Sequence, residues 1–215
     1  MLATSQLDIC NNALALVGQG QLLNSLDDNK KEALICKRLY QRTIERALDK
    51  YNFSFVRKDE VITKDFFLAD AVSLPWLYTY TIPDDVMRVL FLTPLCANSN
   101  VERINNKITI PFNFRQYDSK RVLVTNQEYP FVIHYQSCDF ENINFPPTFT
   151  EAVEYLLAGA IACDLIKGTT GLQIANALNN QGLQLLDYSA MLDAQQGAQS
   201  IEAYPYSNSI VKSRL

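Results

Sequence analysis

The sequence predicts a mixed, mainly α chain of the α+β class. The expected form is an antiparallel helical bundle of about four helices, with a β-rich hairpin insertion and an extended C-terminal tail. Three observations carry this reading. Apolar residues recur at three- and four-residue spacing over 5–57 and again over 148–196. Between them, over about 76–138, the period changes toward strand-like alternation and short apolar runs. Beyond Gly197 neither period continues. The organisation expected is therefore one domain over 1–197, interrupted by the β-rich insertion, and a tail over 198–215.

The first helix is expected from Gln6 to Val17. Ser5 caps it and Asp8 stands three residues on, the spacing of a capping box. Leu7, Cys10, Ala13, Leu14 and Val17 form its apolar stripe, and Gly18 and Gly20 end it. A second helix starts near 27–29 and runs into the mid-fifties. It buries Ala33, Cys36, Tyr40, Ile44, Ala47, Leu48 and Tyr51, and sets Lys31, Arg38, Arg42 and Arg46 on the opposite face. Trp76, Tyr78 and Tyr80 alternate as a strand does, and Pro83-Asp84-Asp85 signals a turn. Further strands are expected at Val89–Leu92, Val122–Thr125 and Phe131–Tyr135, with a hairpin at 103–108 tipped by Asn105-Asn106. A third helix opens after Pro146-Pro147, with Thr148 and Glu151 at capping-box spacing. From Ala152 to Ile166 only Glu154 and Asp164 are charged, so this helix belongs in the middle of a bundle. Gly168–Gly171 turns the chain into a fourth, antiparallel helix whose stripe is Ile174, Ala175, Leu178, Leu185, Leu186, Ser189 and Leu192.

Composition narrows the function classes. The 215 residues are 48% hydrophobic and 20% charged, as in ordinary globular domains. A net charge of −4 provides no global basic field for nucleic acid. The charge is unevenly placed, however. Nine Lys or Arg and three acids lie between Lys30 and Lys58, whereas eight acids and one Lys lie between Asp139 and Glu202. Complementary subunit faces, a nucleic-acid patch and plain solvated faces all produce such asymmetry. The five cysteines contain no CxxC pair and three sit in helical patterns, where cysteine acts as a small hydrophobe. An odd count fits a reducing compartment. No signal-peptide pattern opens the chain and no apolar run approaches a membrane span, so no membrane role is expected.

No catalytic, cofactor-binding or metal site is expected. His134 is the one histidine and lies in a strand-like run, Phe131–Tyr135, with no nucleophile or acid beside it in sequence. Asp27-Asp28 and Asp84-Asp85 are explained as turn and cap residues. Neither a Walker loop nor a GxGxxG is present. The enzyme alternative would have to combine His134 with the Asp84-Asp85 turn. The nucleic-acid alternative would use the basic face of the second helix, without a recognisable groove-reading element. Ile35 and Leu39 edge that basic face beside Arg38 and Arg42. They read either as scattered surface apolar residues or as a second strip that contacts another body.

Three stretches, taken in order, resemble the podovirus tail tubular protein A family of head-to-tail adaptors. They are Leu7–Gly18 with Ser25–Asp28 and the Lys30–Tyr40 helix; Trp76–Tyr80 with Ile82–Asp85 and Arg88–Leu90; and Phe149–Val153 with the apolar helix that follows, then Leu185–Gln196. Together they span most of 5–196. Where the family commonly has a Trp near the end of the second helix, this chain has Tyr51-Asn52-Phe53. The resemblance implies a structural protein without catalytic residues or cofactors. Such a protein forms a dodecameric ring in the virion neck, assembled in the host cytoplasm. Its partners are further copies of itself, the portal, the tail nozzle and genomic DNA passing without sequence specificity. A different neck or head-completion protein is the same-level alternative. On this reading Ile35, Arg38, Leu39 and Arg42 are subunit or portal contacts. So are Tyr204, Tyr206, Ile210 and Val211, in a tail expected to lie along the portal.

Overall fold

A computed structural model describes residues 5–20, 22–63, 66–67, 75–95, 109–117, 119–140 and 143–202. The described chain is mixed α+β, with four helices and two small antiparallel sheets. It divides into two compact units. The first joins the chain up to Phe55 with the chain from Ile143 onward, and the second is Val56–Asn142.

In the helical unit, α1 spans Gln6–Leu16 and opens on the expected capping box. The Asp8 N–H donates to Ser5 Oγ at 3.1 Å, and the Ser5 N–H donates to the Asp8 carboxylate at 3.0 Å. Its buried residues are Ile9, Cys10, Ala13 and Leu14. Helix α2 spans Lys31–Lys50, later and shorter than the sequence suggests. Its expected initiators are engaged elsewhere. The Asp27 N–H bonds Ser25 Oγ, and the Asp27 carboxylate takes the Lys37 ammonium at 2.8 Å. At the far end Tyr51 turns extended, because Phe53 is drawn into an aromatic cluster and Ser54 bonds Asp193 through its N–H and its hydroxyl. In that cluster Phe53, Phe55 and Phe149 lie about 5 Å apart with inclined rings, and Phe145 packs on Phe55 and Phe149.

Helix α3, Pro147–Leu165, is buried along Phe149, Ala152, Val153, Leu157, Ala158, Ile161 and Ala162. It packs against α1, α2 and the 34-residue α4, Thr169–Glu202. The expected Thr148–Glu151 box does not form. Pro147 occupies the first helical position, where its fixed φ is already helical. Thr148 lies inside the helix, 3.3 Å from Ser189 Oγ on α4. Gly168 makes the turn at φ +84°. A Cβ at Gly171 would sit 2.1 Å from the Ile166 carbonyl oxygen, and one at Gly182 would sit 2.9 Å from the Leu156 backbone nitrogen. The antiparallel α3–α4 pair therefore needs bare backbone at both places. Helix α4 also continues five residues past the expected start of the tail at Ala198. Residues 203–215, with Tyr204, Tyr206, Ile210 and Val211, lie outside the described residues.

In the other unit, β1 (Arg57–Ile62), β7 (Phe131–Ser137) and β4 (Val86–Pro94) form one sheet in that order. The second sheet runs β2 (Phe66–Phe67), β3 (Tyr78–Thr81), β6 (Lys120–Thr125), β5 (Phe112–Tyr117). Strands β3, β4, β6 and β7 overlap the expected ones. Strands β1, β2 and β5 are additional, and the expected 103–108 hairpin lies outside the described residues. One core joins the sheets. It contains Ile62, Tyr80, Val89, Leu92, Ile110, Leu123, Phe131, Ile133 and Tyr135. Tyr80 meets Phe131 edge-on at 4.9 Å and its hydroxyl donates to the Gln127 carbonyl. Burial pushes that hydroxyl up to about 12.

The Gly171 contact is with backbone and cannot be relieved by rotating a side chain. Gly171→Ala is expected to lower unfolding stability by about 3 kcal/mol, read from urea denaturation. An unchanged midpoint would remove the close-approach argument.

Candidate functional site

Surfaces for a partner should lie on α2 and α4, where the sequence puts solvent-facing charge and loose apolar residues. On α2 one expectation is corrected. Ile35 is buried in the chain itself and is not part of an exposed strip. The inward face of α2 is one residue wider than its main stripe, taking Ile35 together with Cys36. Leu39 is half-buried, and Arg38 and Arg42 are exposed. The apolar residue that faces outward is Leu34, at 59% exposure.

The charge asymmetry is in good part internal to the helical unit. Arg38 pairs with Asp164 of α3, and Lys31 donates to the Asp164 carbonyl. Lys50 pairs with Asp187 of α4 at 2.7 Å, and the Tyr51 hydroxyl donates to the same oxygen. These contacts hold the Asp187 carboxyl below its usual value and raise Lys50. The basic α2 thus meets acids of its own chain. Arg42 and Arg46 have no carboxylate partner among the described residues.

On α4 no charged residue stands between Lys167 and Asp187. Leu172 is 56% exposed in that stretch, among Asn and Gln; Tyr188 at 49% and Met191 at 48% are exposed beyond it, between Asp187 and Asp193. A cavity of about 400 Å³ lies between α1 and α3, lined by Asn12, Ala15, Leu16, Glu151, Glu154 and Tyr155. Cysteine exposure differs from expectation at one position. Cys10 and Cys36 are buried, but Cys163 is exposed.

The fold also supplies what the sequence did not put beside His134. Its Nδ1 is 2.6 Å from Asp59 Oδ1, and its Nε2 is 2.9 Å from Thr93 Oγ1. Phe91 stacks on the ring at 4.3 Å. Asp59 and Phe91 flank His134 directly in the ladders of β1 and β4. A carboxylate on Nδ1 and a hydroxyl on Nε2 is the order that activates a nucleophile. Here the same bonds clamp three adjacent strands on one face. No local pattern announces them, since the three polar residues lie on three separate strands.

Asp85 does not converge with His134. It joins Tyr135 and Ser137, which alternate with His134 along β7 and so project from the opposite face. Asp85 accepts Lys58 Nζ at 2.7 Å, Ser137 Oγ at 2.8 Å and the Tyr135 hydroxyl at 3.2 Å. Burial raises the Asp85 carboxyl. Lys58 with the two hydroxyls outweighs it and holds the group below the usual carboxylate range. The Tyr135 hydroxyl is pushed up by burial, then by Asp85 and Glu60. The enzyme alternative built on His134 and the Asp84-Asp85 turn therefore has its two halves on opposite faces.

Among the described residues no three His, Cys, Asp or Glu side chains gather as a metal site, and no helix is long and apolar enough to cross a membrane. No family model matches the chain, and no curated protein matches it.

Two predictions follow from the sheet networks. Asp85→Asn should cost about 2 kcal/mol of stability at neutral pH, because Lys58 loses its nearest anion while two hydroxyls keep a poorer acceptor. The folded carboxyl lies below its unfolded value of about 3.9, so its contribution is present above that pH and is lost as pH falls through the folded value. Urea midpoints of wild type and variant should therefore converge toward acid; parallel curves would exclude the network. His134→Gln should cost about 1 kcal/mol, since one amide cannot span both partners. An unshifted midpoint would exclude the clamp.

Proposed function

We propose that the chain is a structural head-to-tail adaptor of a tailed-phage virion. It is a subunit of a ring, a dodecamer in the particle, that sits between the portal and the tail nozzle and lines the channel for DNA. The helices form an antiparallel bundle and the strands a β-rich hairpin insertion within it. It has no catalytic role, and its place is the virion neck after assembly in the host cytoplasm.

The observation that carries this reading is the length of α4 relative to its partner. Helix α3 has 19 residues and α4 has 34, about 28 Å against about 51 Å. Thr148, at the start of α3, already meets Ser189, so the last 13 residues of α4 outrun the α3 start. Isolated helical turns have little stability of their own. A helix that continues past its packing partner, with Tyr188 and Met191 exposed at the point of departure, suits a contact with another protein. The ordered resemblance of the three sequence stretches to the adaptor family agrees. Tyr204, Tyr206, Ile210 and Val211, in the segment 203–215, are candidate portal contacts on this reading.

The test is direct. Purified chain mixed with the portal protein of the same genome should give rings stacked on portals in negative-stain images, about twelve copies per portal by mass. Removing 203–215 should leave the monomer folded and weaken portal attachment at least about tenfold, a loss of roughly 1.4 kcal/mol. A chain that stays off the portal at micromolar concentration would overturn the proposal.

A further inference from the structure

We propose that neighbouring copies join through one head-to-tail contact, in which the exposed α2 face of one copy, led by Arg42 and Arg46, seats on the α1–α3 groove of the next. This rests on the ring reading above and identifies its subunit contact.

Of the six cations on α2, Lys37 pairs with Asp27, Arg38 with Asp164 and Lys50 with Asp187, and Lys31 bonds the Asp164 carbonyl. Arg42 and Arg46 are left, four residues apart on one exposed side. Like charges at that spacing repel each other mildly, so the isolated subunit gains nothing from them. Leu34 continues the same four-residue series through Arg38, and its side chain is largely exposed.

The groove is the counterpart. Its cavity of about 400 Å³ has an apolar floor of Ala15 and Leu16, the Tyr155 ring, and two carboxylates three residues apart, Glu151 and Glu154. Glu154 is half-buried, and Asn12 Nδ2 donates to it at 2.7 Å. No cation pairs with either carboxylate among the described residues. Burial and the neighbouring Glu151 charge raise the Glu154 carboxyl, against the pull of Asn12. An arriving cation would relieve that cost. Arginine suits the place better than lysine because its guanidinium is weakly hydrated, forks onto carboxylates and stacks on a phenol. Two arginines one turn apart meet two glutamates about one turn apart, and Leu34 meets the apolar floor. Groove and strip lie on different helices, so the contact is heterologous, the kind that closes rings.

The experiment uses the full chain with its portal and reads completed rings by electron microscopy. Arg42→Glu alone and Glu151→Arg alone should each lower the completed-ring fraction by about tenfold or more, like charges then facing across the contact. An equimolar mixture of the two should restore rings, because each altered face then meets an opposite charge. Both residues are exposed, and circular dichroism verifies folding. Glu154→Gln is a milder second variant and should make ring closure more salt-sensitive. Variants that close rings like wild type, or a mixture that stays as deficient as its components, would overturn this contact and leave the ring intact. A wild-type chain that forms no ring on the portal would overturn the ring itself.

Discussion

The helical unit depends on the burial of α3. This helix packs against α1, α2 and α4, which bury it along Phe149, Ala152, Val153, Leu157, Ala158, Ile161 and Ala162. Other features follow from that. Past Phe149 its inward residues are small or aliphatic, which lets three neighbours approach closely, and α4 answers with bare backbone at Gly171 and Gly182. Of its three acids, Glu151 and Asp164 are exposed and Glu154 is half-buried. Asp164 receives Arg38, and Glu154 is held by Asn12. A charge at Ala152, Leu157 or Ile161 would be buried without a partner, at a cost that rivals the whole stability of an ordinary domain.

The same burial explains how the chain leaves this unit and returns to it. It departs after Phe55 and comes back at Ile143. Phe53 and Phe55 on one side and Phe145 and Phe149 on the other stack as one cluster, with Phe53 and Phe149 fully buried. Inclined aromatic pairs contribute beyond their buried area. The two crossings are thus held together inside the helical unit. The strands between them have a separate core of their own around Tyr80, Phe131 and Ile133.

Much of this was legible in the sequence where a signal is local. The Ser5–Asp8 box, the apolar third helix and the alternation at Tyr78 and Tyr80 are each set by neighbours in the chain, and each is found. The misses share one cause. Helix α2 ends early because Ser54 bonds Asp193, a residue 139 positions away. Thr148 gives up a cap for a contact with Ser189, and Pro147 takes over the start of α3. Strand β1 reads as Arg-Lys-Asp-Glu-Val-Ile, a solvated run by composition, and becomes a strand only by pairing with β7. Ile35 looked peripheral because a single helix does not show how wide a face its neighbours will cover. Asp59, Thr93 and Asp85 found their partners through sheet register, which no linear pattern records.

The charge asymmetry is where sequence and structure bear most closely on function. Read along the chain, a basic segment and an acidic one invite the idea of two complementary subunits. In the fold, Asp164 and Asp187 meet Arg38 and Lys50 of the same chain, and Ser54 holds Asp193. A surface ion pair of this kind contributes little to stability. Its larger effect is on specificity, because a charge already paired at home is less available to a stranger. What distinguishes a binding face is therefore the remainder after internal pairing. On α2 that remainder is Arg42 and Arg46; on the α1–α3 side it is Glu151 and Glu154. Along α4 the absence of charge between Lys167 and Asp187 leaves a face that a neutral partner can cover without desolvating an ion. One helical unit thus presents a cationic, an anionic and a neutral surface, and an assembly subunit needs that variety if its neighbours are to meet it in one orientation only.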